Sequence, residues 1–236
     1  MTPEFERRLA TLVDREEIFD LARRERFARD LQDFETMRDC FHADAYIRSS
    51  WFAGGYADEY VEATRERMKK SATSRHWVFP ADLKIVGDRA TLESPATIFD
   101  RIKLEGVDVD FYVFCRFFSR VVRREGVWRL LSFEVIFEKD VLACVNPEQA
   151  LPINWDRLAN YRPSYRFLGY IQESRGHTVS HDLYGDDRQD SLLAFYARER
   201  QWLQQQGVEA DRHVEGGPPI EENIQEQPRS ATGEFT

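Results

Sequence analysis

The apolar positions near the start of the chain predict an amphipathic helix over residues 14–30. They recur at the spacing of one helix face and consist of Ile18, Leu21, Ala22 and Ala28, widened by Phe19, Phe27 and Leu31. Asp14 stands where an N-cap belongs, and Glu17 three residues later completes a capping-box pattern. The helix runs down to a carboxylate, Asp30, and a second short helix is predicted over residues 33–41.

The next part of the chain has the pattern of a sheet. Before the first helix, residues 1–13 are expected to form a short leading helix or arm. A polar helix is expected over residues 58–70. Pro95 indicates a bulge or an edge position in its strand. Residues 111–118 (FYVFCRFF) are apolar on both faces, which is typical of a strand covered on both sides. The pattern predicts strands over residues 45–52, 76–86, 90–104, 107–124 and 127–138.

The part of the chain after Asn146 returns to helical spacing. Helices are predicted over residues 153–161, 164–174 and 187–206, and the last one carries an aromatic stripe that must pack on something. This stripe covers either the sheet of its own chain or a partner subunit. Because residues 111–118 also present a second apolar face that needs a cover, we predict a homodimer or larger homo-oligomer. The predicted organisation is a domain over residues 1–146, a helical extension over 147–206 and a disordered acidic tail over 207–236.

Composition narrows the class of protein. The net charge is −9, of which −5 falls on residues 207–236, so the remaining residues carry only −4. Such a weak field argues against binding to nucleic acid. The three cysteines, Cys40, Cys115 and Cys144, show no metal spacing and indicate reduced thiols. The first residues lack the apolar core of a signal peptide and no run is long enough to span a membrane, so we expect a cytoplasmic protein without a membrane partner.

The order of these elements resembles the SnoaL-like branch of the nuclear-transport-factor-like cone fold. The resemblance covers residues 12–139 and is carried by the first helix, by RHWVFPADLKIVGDRATL at 75–92 and by RREGVWRLLSFEV at 123–135. It implies an α+β fold, in which a curved antiparallel sheet forms a cone with helices packed on one side. Relatives of this branch include dehydratases, isomerases, cyclases, a dehydrochlorinase and non-catalytic members. The resemblance therefore predicts the fold more closely than the reaction.

Asp30 and His76 are the candidate catalytic residues. In the resembling dehydratase and dehydrochlorinase types, an aspartate at the end of the first helix faces the cone interior. A histidine at the start of the strand after the polar helix lies within hydrogen-bond reach of it. Such a carboxylate fixes the imidazole tautomer and raises its basicity. The simpler alternatives are a solvated helix-end aspartate and a structural histidine.

Five further residues are candidates for substrate binding or an auxiliary role. If the strand face that carries Ile136 looks inward, Glu134 and Ser132 share that face, and burial would raise the pKa of Glu134. The alternative for Glu134 is an ion pair with an arginine. The sequence has no histidine on the strand that holds the second histidine of the dehydratase type, and Tyr112 is a possible proton donor there. The five candidates are Tyr112, Glu134, Ser49, Trp51 and Arg116; Arg75 and Arg116 are also possible anion anchors.

The sequence contains no phosphate loop, dinucleotide fingerprint, nucleophile elbow or metal-binding spacing. We therefore expect acid–base chemistry without a cofactor or metal. The leading hypothesis is a lyase or isomerase acting on a hydrophobic, hydroxylated aromatic small molecule, with loss of water or of a fragment such as formaldehyde. The alternatives are a binding module without catalysis and the small subunit of an aromatic-ring dioxygenase.

Overall fold

A computed structural model describes residues 1–69, 74–177 and 179–205 of the chain. The acidic tail predicted over residues 207–236 lies outside them. The helices are α1 (Pro3–Leu31), α2 (Phe34–Asp39), α3 (Ala57–Lys69), α4 (Trp155–Leu158), α5 (Arg166–Ser174) and α6 (Gln189–Gln204), with a 3-10 turn at Pro163–Tyr165. The strands are β1 (Phe41–Ile47), β2 (Gly55–Tyr56), β3 (Arg75–Val78), β4 (Asp82–Val86), β5 (Arg89–Leu104), β6 (Val107–Arg124), β7 (Val127–Cys144) and β8 (Tyr184–Gly185).

Helix α1 is continuous over 29 residues and begins at Pro3, not at Asp14. Its N-cap is Thr2, whose Oγ1 accepts a hydrogen bond from the Phe5 amide at 3.3 Å, and a proline in the first turn suits a helix start. The expected cap at Asp14 is wrong, because no residue between positions 3 and 14 breaks the helix. The Asp14 carboxylate instead accepts a hydrogen bond from Trp128 Nε1 at 2.9 Å.

The described strands form one curved, mostly antiparallel sheet in the order β2-β1-β7-β6-β5-β3, with β4 also on β5 and β8 on β7. The long strands β5, β6 and β7 make up its centre. The segment predicted as one strand over 76–86 is two strands, β3 and β4, which pair with different parts of β5. Pro95 lies between those two parts, where its carbonyl accepts from the Phe79 amide at 2.9 Å.

The two faces of the sheet have different covers. The concave face, which carries Val113, Cys115 and Phe117 on β6, packs with Ile18 and Leu21 of α1 in the main core. On the convex face, Phe118 and Ile136 pack against Phe195 of α6. Farther along the convex face, Val122 and Leu131 pack with Trp202 and Leu203. Phe118 is thus buried on the convex face, whereas Tyr112, Phe114 and Arg116 on the same face are half-buried. Cover on both faces therefore accounts only in part for the missing alternation of residues 111–118.

The C-terminal extension belongs to the core of its own chain. Tyr165, Leu168, Tyr170 and Ile171 join the main core, and the Asp140 carboxylate of β7 accepts from the Leu168 amide at 2.7 Å. Helix α6 covers the convex face described above. The aromatic stripe is thus used within the chain, and α6 covers part of the second apolar face on which the expectation of assembly rests. Among the described residues, no helix is both long and apolar enough to cross a membrane.

Candidate active site

The structure brings Asp30 and His76 together as a hydrogen-bonded pair. His76 Nδ1 lies 2.7 Å from Asp30 Oδ1, and the backbone N–H of His76 donates to Asp30 Oδ2 at 2.7 Å. The Asp30 and His76 side chains are 9% and 5% exposed. Both carboxylate oxygens are therefore occupied by one residue, which fixes the position and the orientation of the imidazole.

The two residues meet because a helix end and a strand start are packed together. Asp30 lies in the last turn of α1, next to the strand β3 that carries His76. In β3, pairing with β5 places His76 opposite Ile98, and the imidazole lies 6.0 Å from the Phe117 ring on the concave face. The resemblance predicted both residues, and the structure supplies the contact between them.

Arg29 is a third member of this cluster, which the sequence analysis missed. Its Nη1 donates to Asp30 Oδ1 at 2.8 Å and lies 3.3 Å from His76 Nδ1. A guanidinium has no acceptor, so the hydrogen of Nδ1 is donated to Asp30. The imidazole nitrogen Nε2 then carries the lone pair. None of the described residues hydrogen-bonds to Nε2.

Electrostatics favour a neutral imidazole and a charged carboxylate. Burial, and after it the charge of Arg29, lowers the pKa of His76 to about 3, although Asp30 acts in the opposite direction. Burial also opposes ionisation of Asp30. The hydrogen bond from His76 and the charge of Arg29 outweigh this effect and hold the pKa of Asp30 below its ordinary value. At neutral pH the pair is therefore a carboxylate beside a neutral base.

The lowered pKa of His76 predicts a pH-dependent contribution to the stability of the folded protein. Below pH 6.5 the unfolded chain protonates His76 while the folded chain does not, until the pH approaches 3. The stability that depends on the neutral ring is thus complete above pH 6.5 and decreases as the pH falls. We expect the difference in unfolding free energy between the wild type and His76→Asn to shrink by about 1.4 kcal/mol per pH unit between pH 6.5 and 4.

Urea unfolding at several pH values measures this difference. Glu134 and Asp140, whose pKa values burial raises to about 7 and about 6, act in the opposite direction between pH 4 and 7. They are present in both proteins and cancel in the difference. Parallel curves for the two proteins would contradict a neutral, buried His76.

Aromatic rings and a second arginine lie on the same side of the sheet. Arg26, 5% exposed, pairs with Glu25, and its guanidinium lies 4.7 Å from the Phe133 ring centroid and 5.4 Å from that of Phe117. Its Nη2 donates to the Tyr60 hydroxyl at 3.4 Å. Phe117 thus lies beside both Arg26 and the imidazole of the pair.

Trp51 lies close to this aromatic group, whereas the Ser49 side chain makes a hydrogen bond within the loop that follows β1. The Trp51 ring stacks on Tyr60, with centroids 5.6 Å apart. Ser49 is buried, and its hydroxyl accepts from the Phe52 amide at 3.3 Å. A role of either residue in substrate binding stays a prediction.

Four other residues named from the sequence lie on the convex face. The expectation that the Ile136 face looks inward is wrong, because Ile136 packs against Phe195 under α6. Glu134 and Ser132 share that face, and burial raises the pKa of Glu134 there. Tyr112 and Arg116 alternate with the concave residues of β6 and also point outward.

The sheet therefore separates the convex residues from Asp30 and His76. Arg116 forms ion pairs with three carboxylates, Glu93, Glu138 and Asp186, at 2.7, 2.6 and 2.7 Å. This network joins the sheet to the residues before α6. Glu134, Tyr112 and Arg116 therefore lie across the sheet from His76.

A sequence signal for the missed arginines exists in α1. The apolar stripe that holds Ile18 and Leu21 continues at helical spacing to Glu25 and Arg29, which are also buried. Charged residues in register with a buried stripe are costly unless they are paired or functional. Arg26 and Arg29 could have been found by following the stripe instead of stopping where its apolar residues end.

A groove of about 450 Å³ lies elsewhere, between α2 and α3. It is lined by Phe34, Arg38, Asp58 and Arg65, among others. It shares no residue with the Asp30–His76 cluster. We therefore do not assign the chemistry to this groove.

Comparison with known proteins gives relatives in sequence and in fold. Pea pathogenicity protein 2 of Fusarium vanettenii is 27% identical over 190 residues, which cover 77% of this chain and 82% of the relative. A PEP2-like protein of the same organism is 28% identical over 193 residues, with the same coverage. Since 77% of 236 residues exceeds 134, both alignments extend beyond residue 134 towards or into the C-terminal extension.

A solved structure shows the same architecture. The crystal structure of a type 2 hexachlorocyclohexane dehydrochlorinase gives a TM-score of 0.52 at 14% identity, covering 62% of this chain and 98% of that one. At this identity the likeness concerns the fold. The SnoaL-like domain profile matches residues 10–134, more than half of the 236 residues. With its helices packed on a curved, unclosed sheet, this chain belongs to the SnoaL-like domain family.

Proposed function

We propose that the protein is a cofactor-independent lyase or isomerase in which His76, oriented by Asp30, moves a proton on a hydrophobic, hydroxylated aromatic molecule. The observation that supports this most directly is the buried pair itself. A neutral imidazole has its Nδ1–H fixed by a carboxylate at 2.7 Å and its Nε2 without a partner among the described residues. This is the arrangement that a general base requires.

One base that takes a proton and returns it is sufficient for each reaction considered. In a dehydration, Nε2 removes a proton from carbon and the C–H electron pair forms the double bond. The hydroxyl group leaves with the proton from the imidazolium, as water. In a loss of formaldehyde, Nε2 removes the hydroxyl proton of a CH2OH group, the carbon–carbon bond breaks, and the carbon left behind takes the proton.

An isomerisation uses the same cycle, because the proton returns to a different carbon. In every case His76 is neutral again at the end. Asp30 stabilises the imidazolium that forms in between, with no second acid needed in the cone. This agrees with Glu134 and Tyr112 lying on the convex face. The fold is compatible with an elimination, since a structural neighbour with the same architecture is named a dehydrochlorinase.

The proposal is tested by incubating the full chain with a panel of hydroxylated aromatic compounds and following the products by mass spectrometry. Loss of water or formaldehyde, or conversion at constant mass, identifies the reaction. Heat-denatured protein is the blank. Binding of panel members without any conversion would contradict the proposal and favour a binding module.

A further inference from the structure

Arg67 of α3 is joined to the cone interior by a chain of contacts. Its guanidinium lies over the Trp51 ring, 5.0 Å from the centroid, and Nη2 donates to Gln172 Oε1 at 3.3 Å. Trp51 stacks on Tyr60, and the Tyr60 hydroxyl accepts from Arg26. Arg67 is thus linked through Trp51, Tyr60 and Arg26 to Phe117, the ring that lies beside the proposed base.

The arginines of this region are not equally paired. Arg29 has the carboxylate of Asp30 and Arg26 has that of Glu25. In the part of the chain that the structure describes, no carboxylate lies within salt-bridge distance of Arg67, whose contacts are an aromatic ring and a neutral amide. Each of these two ion pairs is neutral by itself, so the guanidinium of Arg67 adds one positive charge to this region that no ion pair among the described residues neutralises.

Burial and neighbouring positive charges act on the Arg67 guanidinium and lower its pKa. Burial, and then the charges of Arg29 and Arg175, lower the pKa of Arg67 to about 10, although Asp100 acts in the opposite direction. A half-buried cation that is repelled by two others costs stability in the unliganded protein. An anionic ligand would remove that cost.

From this arrangement we propose that the substrate carries a carboxylate, which Arg67 binds while the aromatic body of the molecule packs beside the half-buried Trp51 ring, on the side of the sheet that carries His76. This inference rests on the proposed function and specifies its substrate class as an aromatic carboxylate. The planar fork of a guanidinium matches a carboxylate with two parallel N–H donors. Stacking on Trp51 holds that fork, and Gln172 takes only one of its five N–H groups.

Binding of the carboxylate also prepares the base. The positive charge of Arg29 contributes to the low pKa of His76, and a negative charge bound near Arg29 and Arg67 offsets that field. The pKa of His76 then rises towards the range in which an imidazole accepts a proton readily. The substrate would thus activate the residue that acts on it.

The test compares benzoate with benzyl alcohol, its neutral counterpart, by calorimetric titration of the full chain. We expect benzoate to bind the wild type roughly 10- to 100-fold more tightly, the range of a charge-assisted hydrogen bond. Arg67→Gln should lose that preference and bind both compounds alike. The histidine NMR signal that is absent from His76→Asn should titrate at higher pH when benzoate is present.

Arg65→Gln is the matched control, because Arg65 lies in the same helix but pairs with Glu62 and stacks on Phe34 outside the cone. It should bind benzoate like the wild type. Arg67→Lys, which keeps the charge without the fork, should show an intermediate affinity. Thermal unfolding of Arg67→Gln should be unchanged or higher, since a repelled cation is removed, which separates lost binding from lost folding.

Benzoate binding no tighter than benzyl alcohol, binding of neither compound, or an equal loss in the Arg65 and Arg67 variants would overturn this inference. The proposed function can fail separately. His76→Asn should still bind benzoate, so carboxylate binding without any conversion by the wild type rejects only the catalytic role. If the wild type converts neutral compounds and Arg67→Gln converts them at the same rate, only the inference of a substrate carboxylate is rejected.

Discussion

Replacing His76 by asparagine is expected to lower turnover by roughly a hundredfold or more, the usual contribution of a positioned general base. The asparagine amide can still donate to Asp30, so the helix end and strand β3 keep their contact. It has no basic nitrogen in place of Nε2, and the proton has nowhere to go. Steady-state kinetics on the substrate found in the product screen measures the loss.

Asp30→Asn should have a loss of the same order for a different reason. It removes the charge that stabilises the imidazolium and leaves Arg29, 3% exposed, without its carboxylate, so it should also lower stability. His181→Asn is the control, because His181 stacks on Tyr161 at 6.4 Å outside the site. Near-wild-type rates in both the His76 and the Asp30 variants would reject the mechanism.

Ending the chain after Asn146 is expected to abolish folding to a stable protein. The extension buries Tyr165, Leu168, Tyr170 and Ile171 in the main core, each worth about 2 kcal/mol. Their sum is comparable with the whole net stability of a typical domain, about 5–15 kcal/mol. The cut also removes α6 and exposes Phe118 and other apolar residues of the convex face. We expect aggregation in expression and size-exclusion experiments.

The matched control is a chain that ends at Gly207, which keeps all the described residues and should fold and behave like the full chain. A chain ending at Asn146 that stays soluble and active would show that the extension is dispensable. Homo-oligomer formation stays a prediction. Its main argument, an apolar face without a cover, is weaker, because α6 of the same chain covers Phe118 and Val122, whereas Tyr112 and Phe114 of that face are half-buried.

Local sequence determined most of the elements, and the family resemblance supplied the pair of catalytic candidates. Hydrophobic periodicity predicted α6 and the long strands, since these depend on spacing along one segment. The predicted helix start at Asp14 was wrong, because a residue suited to an N-cap does not interrupt a helix when helix-forming residues continue on both sides of it. The resemblance supplied Asp30 and His76, whose spacing along the chain contains no evidence of contact.

The tertiary structure decided which side of the sheet each residue serves. Alternation states that Glu134 and Ile136 share a face, but not which face is concave. Packing of Ile136 under α6 settled that question and separated Glu134, Tyr112 and Arg116 from the pair. The ion pair of Arg29 with Asp30 and the stacking of Arg67 on Trp51 likewise became visible only in the tertiary structure. Electrostatic energy depends on distance and burial, and neither can be read from positions along a chain.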